Sequence, residues 1–233
     1  MRVLVKLWRN RWIIRAIFPS LIFNFKKLPF RQAWRIPILL YKPRILKCDG
    51  EFIINGTIKF GLIKLGVNSV SIYPNSGISL ENRGKIIFNG SAYIGNASYI
   101  SVGKSGILQL GNGVTATTSL KLVCYDSVNI YENVLLGWNC MICDTDFHKL
   151  KFVNSGGEAK GHGEIIIGHD TWIANGCKLY KNTIIPSKCV VGADTILHSP
   201  VECEQYSLIT TDTNIIIRAT GLYLDRKDDK IDY

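Results

Sequence analysis

Acidic side chains are absent from the first 47 residues, which hold 12 of the 28 lysines and arginines. The rest of the chain carries 16 basic and 18 acidic residues, so the excess positive charge behind the net +10 lies entirely in the terminal segment. A nucleic-acid-binding domain usually spreads its basic residues over a folded face. The charge pattern therefore predicts no nucleic-acid partner.

The same segment lacks the apolar run of ~20 residues that a membrane-spanning helix needs, because basic residues such as Arg15, Lys26 and Lys27 interrupt it. A small-residue cleavage site after a clean apolar run, typical of an export signal, is also missing. Its mixture of basic and aromatic residues has two interpretations. Residues 1–47 contact the surface of an anionic membrane leaflet, or they cap the rest of the fold or pack between subunits.

A paired cysteine pattern is missing too: the seven cysteines are odd in number and do not match a zinc spacing. We expect reduced thiols and a cytoplasmic protein. Any membrane association would be peripheral, at the inner face of the cell membrane. The four histidines are not spaced as a three-histidine zinc site of a repeat protein would need, so no metal is expected. Glycine and β-branched residues outweigh helix formers, which predicts a mainly β protein.

What the sequence does contain is a six-residue repeat. An aliphatic residue recurs at every sixth position from Ile167 onward, and four residues after each one comes a small or medium-sized residue. The aliphatic series is Ile167, Ile173, Leu179, Ile185, Val191 and Leu197, and the second series is Thr171, Cys177, Thr183, Cys189, Thr195 and Val201. This period fits a short strand plus a turn. Three units predict a triangular coil of about 18 residues, and stacked coils predict a parallel β-helix.

The phase continues upstream at Ile130, Leu136 and Ile142, whereas Phe52 to Leu110 alternates less regularly. That earlier stretch is interpreted as further coils of the same solenoid or as a separate small β-domain. In the first case, residues 50–210 form one domain of about eight coils. Residues 1–49 then form a short N-terminal segment, predicted to be helical, and residues 211–233 form a C-terminal tail.

The repeat fails once, over residues 143–164. The interrupting sequence begins Cys143-Asp144-Thr145-Asp146-Phe147-His148 and continues through a polar, glycine-rich run to Gly163. Since the phase is kept on both sides, the insertion predicts a loop that leaves the coil wall, and such loops often carry function. This loop holds two carboxylates and a histidine within five residues.

The repeat, the Asp144-to-His148 motif and the sequence Gly168-His169-Asp170-Thr171-Trp172-Ile173-Ala174-Asn175-Gly176 together resemble the hexapeptide-repeat acyltransferases, specifically the branch that O-acetylates sugars and capsules. The resemblance implies a left-handed β-helix and acetyl-CoA as the donor substrate. It also implies a homotrimer with active sites shared between subunits.

The resemblance further assigns residue roles. It implies that His148 is the catalytic base and that Trp172, Gly192 and Ala193 match positions near the coenzyme. Asp144 and Asp146 are candidates for orienting the imidazole or for binding the acceptor hydroxyls, and Trp172 is also counted with the substrate-binding residues. The alternatives are that Trp172 is only a packed aromatic and that turn geometry alone explains Gly192.

The predicted function is acetyl-CoA-dependent O-acetylation of a carbohydrate hydroxyl on a capsule, an O-antigen or a lipid-linked sugar. A neutral imidazole suits the deprotonation of a poorly nucleophilic hydroxyl near pH 7. Covalent catalysis by Cys143 is the mechanistic rival. N-acetylation of a nucleotide-linked amino sugar is an alternative reaction, and a non-catalytic β-helix scaffold is an alternative of another class.

Overall fold

The computed structural model describes residues 12–68, 70, 72–211 and the backbone of residues 222–224. Three parallel sheets form the three faces of the β-helix, and successive strands of the chain belong to successive sheets. Sheet A contains β1 (Ile38–Leu40), β4 (Ile63–Val67), β7 (Ala92–Gly95), β10 (Val114–Ala116), β13 (Leu135–Leu136), β18 (Trp172–Ile173), β21 (Val190–Val191) and β23 (Leu208–Ile209). Sheet B contains β2 (Pro43–Cys48), β5 (Ile78–Asn82), β8 (Ser98–Val102), β11 (Lys121–Cys124), β14 (Met141–Cys143), β19 (Lys178–Tyr180) and β22 (Ile196–Leu197).

The third face and the helices complete the element list. Sheet C contains β3 (Glu51–Ile54), β6 (Lys85–Phe88), β9 (Ile107–Leu110), β12 (Ser127–Ile130), β17 (Ile165–Ile167) and β20 (Ile184–Ile185). A small antiparallel sheet is formed by β15 (Leu150–Phe152), β16 (Glu158–Ala159) and β24 (Leu222–Leu224). The helices are α1 (Trp12–Lys27) and α2 (Phe30–Ala33). Within the described residues, neither helix has the length and apolarity needed to cross a membrane.

The predicted mainly β fold with a parallel β-helix is confirmed by the strand register. Trp172 pairs with Val190, and Val190 pairs with Leu208, so equivalent residues of the later coils lie 18 positions apart. On the other faces, Lys178 pairs with Ile196 and Ile166 pairs with Ile184 at the same separation. Each coil therefore hydrogen-bonds to the coils above and below it, as a solenoid requires.

Both residue series of the repeat face the interior. All six aliphatic positions from Ile167 to Leu197 are buried, and so are the five residues Thr171, Cys177, Thr183, Cys189 and Thr195. The second series therefore fills the inner side of each corner instead of its outer surface. Thr183 has a buried hydroxyl with no hydrogen-bond partner, so in that corner the side chain contributes mainly by its volume.

A left-handed backbone conformation precedes each of these small residues. Asp170, Gly176, Asn182, Lys188 and Asp194 all have positive φ, between 55° and 74°. Asn, Asp and Gly tolerate this region better than other residues do, which explains their recurrence one position before the small residue. The corners thus explain where polar residues recur in the repeat, and the strands explain where aliphatic residues recur.

The region before residue 124 belongs to the same solenoid. Strand β3 pairs with β6 over Glu51–Ile54, β6 pairs with β9, and β9 pairs with β12, all in parallel. The structure therefore places this region in further coils of the same stack and not in a separate β-domain. The coil begins at β1, earlier than the predicted boundary near residue 50. The reason is that Ile38–Leu40 is buried at all three positions and shows no six-residue pattern.

Helix α1 covers the open edge of the first coil. The Asn24 side-chain amide donates to the Ile38 carbonyl oxygen at 2.7 Å and accepts from the Ile38 N–H at 3.1 Å. The Ser20 hydroxyl accepts from the Leu40 N–H at 2.8 Å. These side chains pair the backbone of an edge strand, which would otherwise be a template for aggregation. Phe23 adds an edge-to-face ring contact with Phe52, with centroids 5.1 Å apart.

Residues 12–33 thus lie over the open edge of the first coil, while residues 1–11 lie outside the described part of the chain. The C-terminal tail contributes one described strand, β24, whose backbone pairs with the loop strand β15.

Replacing Asn24 with leucine tests the cap. The leucine side chain has a similar volume but cannot pair with Ile38, so a buried donor and a buried acceptor lose their partners. We expect a loss of about 1–3 kcal/mol in unfolding free energy, measured by chemical denaturation. Leu21→Ala, at an exposed position of the same helix, is the control and should change stability little. Equal stability of Asn24→Leu and the wild type would contradict the capping role.

Candidate active site

The loop leaves the coil at the corner between sheet B and sheet C. Strand β14 ends at Cys143 on sheet B, and the next coil strand, β17, begins at Ile165 on sheet C. Val128 pairs with Ile165, 37 residues later, whereas the following coil closes in 18 residues. The insertion predicted from the broken phase is therefore present, and the register of the coil is the same before and after it.

Asp144 holds the start of the loop against the coil. Its side chain is completely buried, and its carboxylate accepts hydrogen bonds from the backbone N–H groups of Tyr125, at 2.7 and 3.0 Å, and Asp126, at 2.7 Å. Burial raises the pKa of this carboxyl, while the two N–H donors act in the opposite direction. A carboxylate with no exposed surface does not reach an acceptor sugar. The predicted substrate-binding role of Asp144 does not fit this position, and we assign it to anchoring the loop.

The end of the loop is held by the same residues. The Gly163 N–H donates to the Asp144 carbonyl oxygen at 2.9 Å. Thr145 and His162 form an antiparallel bridge. The two ends of the excursion therefore meet at its base, so the long insertion is closed as it leaves the wall.

A histidine–aspartate pair lies at this base. Nδ1 of His162 is 2.7 Å from Oδ2 of Asp126, and each side chain is about one-third exposed (34% and 35%). The Asp126 N–H in turn donates to Asp144. Neither His162 nor Asp126 is among the site residues predicted from the sequence. These residues are 36 positions apart, and only the coil stacking brings Asp126, which follows β11, beside the loop.

His148 is exposed, and the turn that precedes it is well defined. The Phe147 N–H donates to the Thr145 hydroxyl at 3.0 Å, and Phe147 has a positive φ of 61°. The Phe147 ring packs edge-to-face on Tyr125, with centroids 5.1 Å apart. The residue next to the candidate base is thus fixed to the coil, while the imidazole itself lies on the outer surface.

Asp146 lies on the surface between Asp144 and His148. Its N–H donates to the Gly161 carbonyl oxygen at 2.7 Å, and its carboxylate accepts from Nζ of Lys181. Lys181 also donates to the Lys160 carbonyl oxygen at 2.6 Å. The side chain of Asp146 is 36% exposed, so it can contact a ligand while Lys181 holds its position.

Cys143 is poorly suited to nucleophilic attack. Its side chain is buried, and its thiol donates to the Thr145 carbonyl oxygen at 3.1 Å. Burial raises the pKa of the thiol, whereas nucleophilic cysteines need a lowered pKa. Cys177 and Cys189 are buried, as the repeat predicts, and Cys140 is buried as well.

The other predicted ligand residues lie on another part of the coil. Trp172 is on sheet A and is 49% exposed, while Gly192 and Ala193 follow β21, the neighbouring strand of the same sheet. A Cβ atom on Gly192 would come within 2.9 Å of Cγ2 of Thr210 in the next coil. Coil stacking therefore supplies a reason for glycine at this corner that is independent of any ligand.

One chain does not bring all of these residues to one corner. Trp172, Gly192 and Ala193 belong to sheet A and its corner with sheet B, whereas His148 and Asp146 leave from the corner between sheets B and C. Among the residues whose side chains are described, no group of three or more His, Cys, Asp or Glu is arranged to hold a metal ion.

Comparisons with known proteins give one distant likeness. No protein-family model matches the chain, and no curated protein sequence matches it either. Among solved structures, the crystal structure of the polySia specific acetyltransferase NeuO aligns with 13% sequence identity and a TM-score of 0.40, over 82% of this chain and 88% of that one.

Asp144→Asn tests the anchoring role. An asparagine amide would place an NH₂ group against a backbone N–H, so the loop base should open and stability should fall by about 2 kcal/mol. Hydrogen exchange of residues 145–162 should accelerate, as measured by mass spectrometry. The exposed Asp49, replaced by asparagine, is the control. Unchanged exchange in the loop would show that Asp144 does not anchor it.

Proposed function

We propose that this protein is an acetyl-CoA-dependent O-acetyltransferase that acts on a carbohydrate hydroxyl, with His148 as the general base. One observation carries the proposal: an anchored loop leaves the coil just before its regular 18-residue turns and holds an exposed imidazole two residues along the chain from a carboxylate that Lys181 fixes. The scaffold alternative explains the coil, but it gives no reason for a loop whose base is tied down by a buried aspartate.

The proposed reaction is a direct transfer. The sugar hydroxyl oxygen attacks the thioester carbonyl carbon as His148 takes its proton, the new C–O bond forms, and the C–S bond breaks. The proton then passes to the departing coenzyme A thiolate, so the imidazole returns to its neutral form. Base catalysis of this kind contributes typically 10²–10⁴-fold. The buried thiol of Cys143, whose pKa is raised, argues against an acyl-enzyme.

The acceptor is proposed to bind beside Asp146 and His162. A partly exposed carboxylate held by Lys181 and an imidazole held by Asp126 both have fixed orientations. Polar groups held in this way can bind sugar hydroxyls at a low cost in side-chain entropy. This role for His162 adds to the residues predicted from the sequence, and Asp144 is removed from them.

Acetyl-CoA is proposed to lie along sheet A, over Trp172 and close to Gly192 and Ala193. Trp172 offers an exposed aromatic surface, and the missing side chain at Gly192 lets a narrow pantetheine arm approach the backbone. Because these residues and His148 leave from different corners of the coil, a complete site needs a second copy of the chain.

A homotrimer with sites between subunits is therefore part of the proposal. A row of outward residues on sheet A becomes apolar toward the later coils: Leu135 pairs with Trp172, Trp172 with Val190, and Val190 with Leu208. Leu135, Trp172 and Leu208 are 39%, 49% and 68% exposed in the single chain. An exposed apolar row of this kind is a typical subunit contact. A cytoplasmic location, where thiols stay reduced, is also part of the proposal.

His148→Ala tests the general base. We expect turnover to fall ~10²–10⁴-fold, with little change in the KM for acetyl-CoA, because the imidazole acts mainly in the transition state. Coenzyme A release is measured with a panel of acceptors that includes polysialic acid, other acidic and neutral oligosaccharides, and nucleotide-linked amino sugars. His198→Ala, at an exposed position outside the loop, is the control. Turnover near the wild-type level in His148→Ala would refute the assignment.

The same panel separates the competing functions. Preference for an amino sugar would favour N-acetylation. Failure to bind acetyl-CoA in a titration would favour the scaffold.

His162→Ala tests acceptor binding. We expect the KM for the acceptor to rise about tenfold or more. The loss of one good hydrogen bond to a charged or polar partner weakens binding by about that factor. His169→Ala is a matched control, because Nδ1 of His169 lies 2.7 Å from Oδ2 of Asp170 at a different corner. If both variants raise the acceptor KM equally, the effect is not specific to the loop.

A further inference from the structure

Helix α1 packs one face on the coil and carries an apolar stripe on the opposite face. Its inner face holds the buried residues Ala16, Ser20, Phe23 and Asn24. On the opposite side, residues at spacings of four, three and four form a second stripe. The outer residues and their exposed fractions are Ile14 (76%), Phe18 (73%), Leu21 (41%) and Phe25 (46%). A helix on the surface of a soluble domain ordinarily presents polar residues there.

Helix α2 extends this outer stripe. Phe30 and Trp34 are 73% and 69% exposed, and the rings of Phe25 and Phe30 lie 5.9 Å apart. We call the four stripe residues together with Phe30 and Trp34 the outer patch. It is continuous over both helices, and large exposed apolar patches of this kind mark interaction sites.

The surroundings of the outer patch are cationic. Residues 12–47 contain eight lysines and arginines and no acidic residue, and Arg15, Lys26, Arg31 and Arg35 are exposed next to the patch in sequence. Two copies of this segment meeting face to face would bring like charges together without an acidic residue from either segment to compensate. The charge pattern favours an anionic surface as the partner.

A groove beside the patch fits the same partner. It has a volume of about 600 Å³ and lies between α1 and strand β2, with Pro19, Ile22, Leu40, Ile45 and Leu46 among its apolar lining and Lys26 and Lys27 also lining it. An apolar groove with ammonium groups beside it matches a lipid that has an acyl chain and an anionic headgroup. The inner face of α1 is fixed to the coil, so the helix would lie along a membrane surface with only its outer face inserted.

We propose that the outer patch docks this protein on an anionic phospholipid bilayer. Phe18, Phe25, Phe30 and Trp34 enter the interfacial region, where aromatic rings are favoured, and the flanking cations contact the lipid headgroups. The docking does not depend on the proposed reaction, because the outer patch belongs to the capping helices and shares no residue with the loop.

Flotation of the full-length protein with vesicles tests the docking. The test compares vesicles of phosphatidylcholine that contain about 30% phosphatidylglycerol with vesicles of pure phosphatidylcholine. We expect the wild type to float with the anionic vesicles, and the bound fraction to fall severalfold in ~0.5 M salt, where charges are screened. The double variants Phe18→Ser/Phe25→Ser and Lys26→Gln/Arg31→Gln should each weaken binding at least tenfold.

Ile72→Ser is the control, since Ile72 is as exposed (75%) as Phe18 of the patch (73%) but lies outside the capping helices. Far-ultraviolet circular dichroism and the thermal midpoint check that the exposed substitutions leave the fold intact. Acetylation of a soluble acceptor, if the proposed reaction holds, should be unchanged in the patch variants, so a failure of the docking and a failure of the chemistry are distinguishable.

Three outcomes would overturn the proposal. The first is an absence of binding to anionic vesicles by the wild type. The second is equal binding by the wild type and Phe18→Ser/Phe25→Ser. The third is a concentration-dependent oligomer, seen by sedimentation, that the patch variant abolishes while its vesicle binding is unchanged. That result would assign the outer patch to contacts between copies of the chain.

Discussion

The parallel pairing of each coil with its neighbours is the constraint on which the rest of the structure depends. A single coil of 18 residues has no stability of its own, because its strands of two or three residues find backbone partners only in the coils above and below. The same pairing explains why the loop is tolerated. The chain leaves after Cys143 and returns at Ile165 in register with Val128, so the inserted residues add no slip to any later coil, and their chemistry can change without changing the stack.

A stack of parallel coils ends in edge strands with unpaired backbone groups, and helix α1 covers these groups at the first coil. The edge strand β1 would expose unpaired backbone groups, but Asn24 and Ser20 of α1 bond to them. The same helix carries an apolar stripe on its other side, so one element closes the core and holds the surface for which we propose docking on a bilayer. Sheet B reaches the loop at its fifth strand, and with ~4.8 Å between strands the loop lies roughly 20 Å along the coil from the capped end. A membrane-docked cap would thus hold the proposed active site a short, fixed distance from the lipid surface.

Within the loop, two aspartates of one short motif have opposite environments. Asp144 is buried and accepts hydrogen bonds from two backbone N–H groups, whereas Asp146 is partly exposed and pairs with Lys181. The first aspartate holds the loop in place, and the second is available to a ligand. Asp126 links Asp144 to His162, because its N–H donates to Asp144 and its carboxylate contacts His162. The loop can therefore be long and polar and still hold its side chains in fixed positions.

The sequence by itself determined the coil, its inward residues and the place where the loop leaves, because a strict period records which positions must be buried and identical in size from coil to coil. The proposed role of His148 came from the family resemblance of the loop motif. Tertiary structure alone decided that Asp144 is an anchor, that Asp126 meets His162, that the coil starts at Ile38, and that Asn24 pairs an edge strand. These contacts join residues 14 to 36 positions apart, and the stacking of coils, which brings distant residues together, leaves no local pattern at either partner. The tertiary structure also places Trp172 and His148 at different corners of the coil.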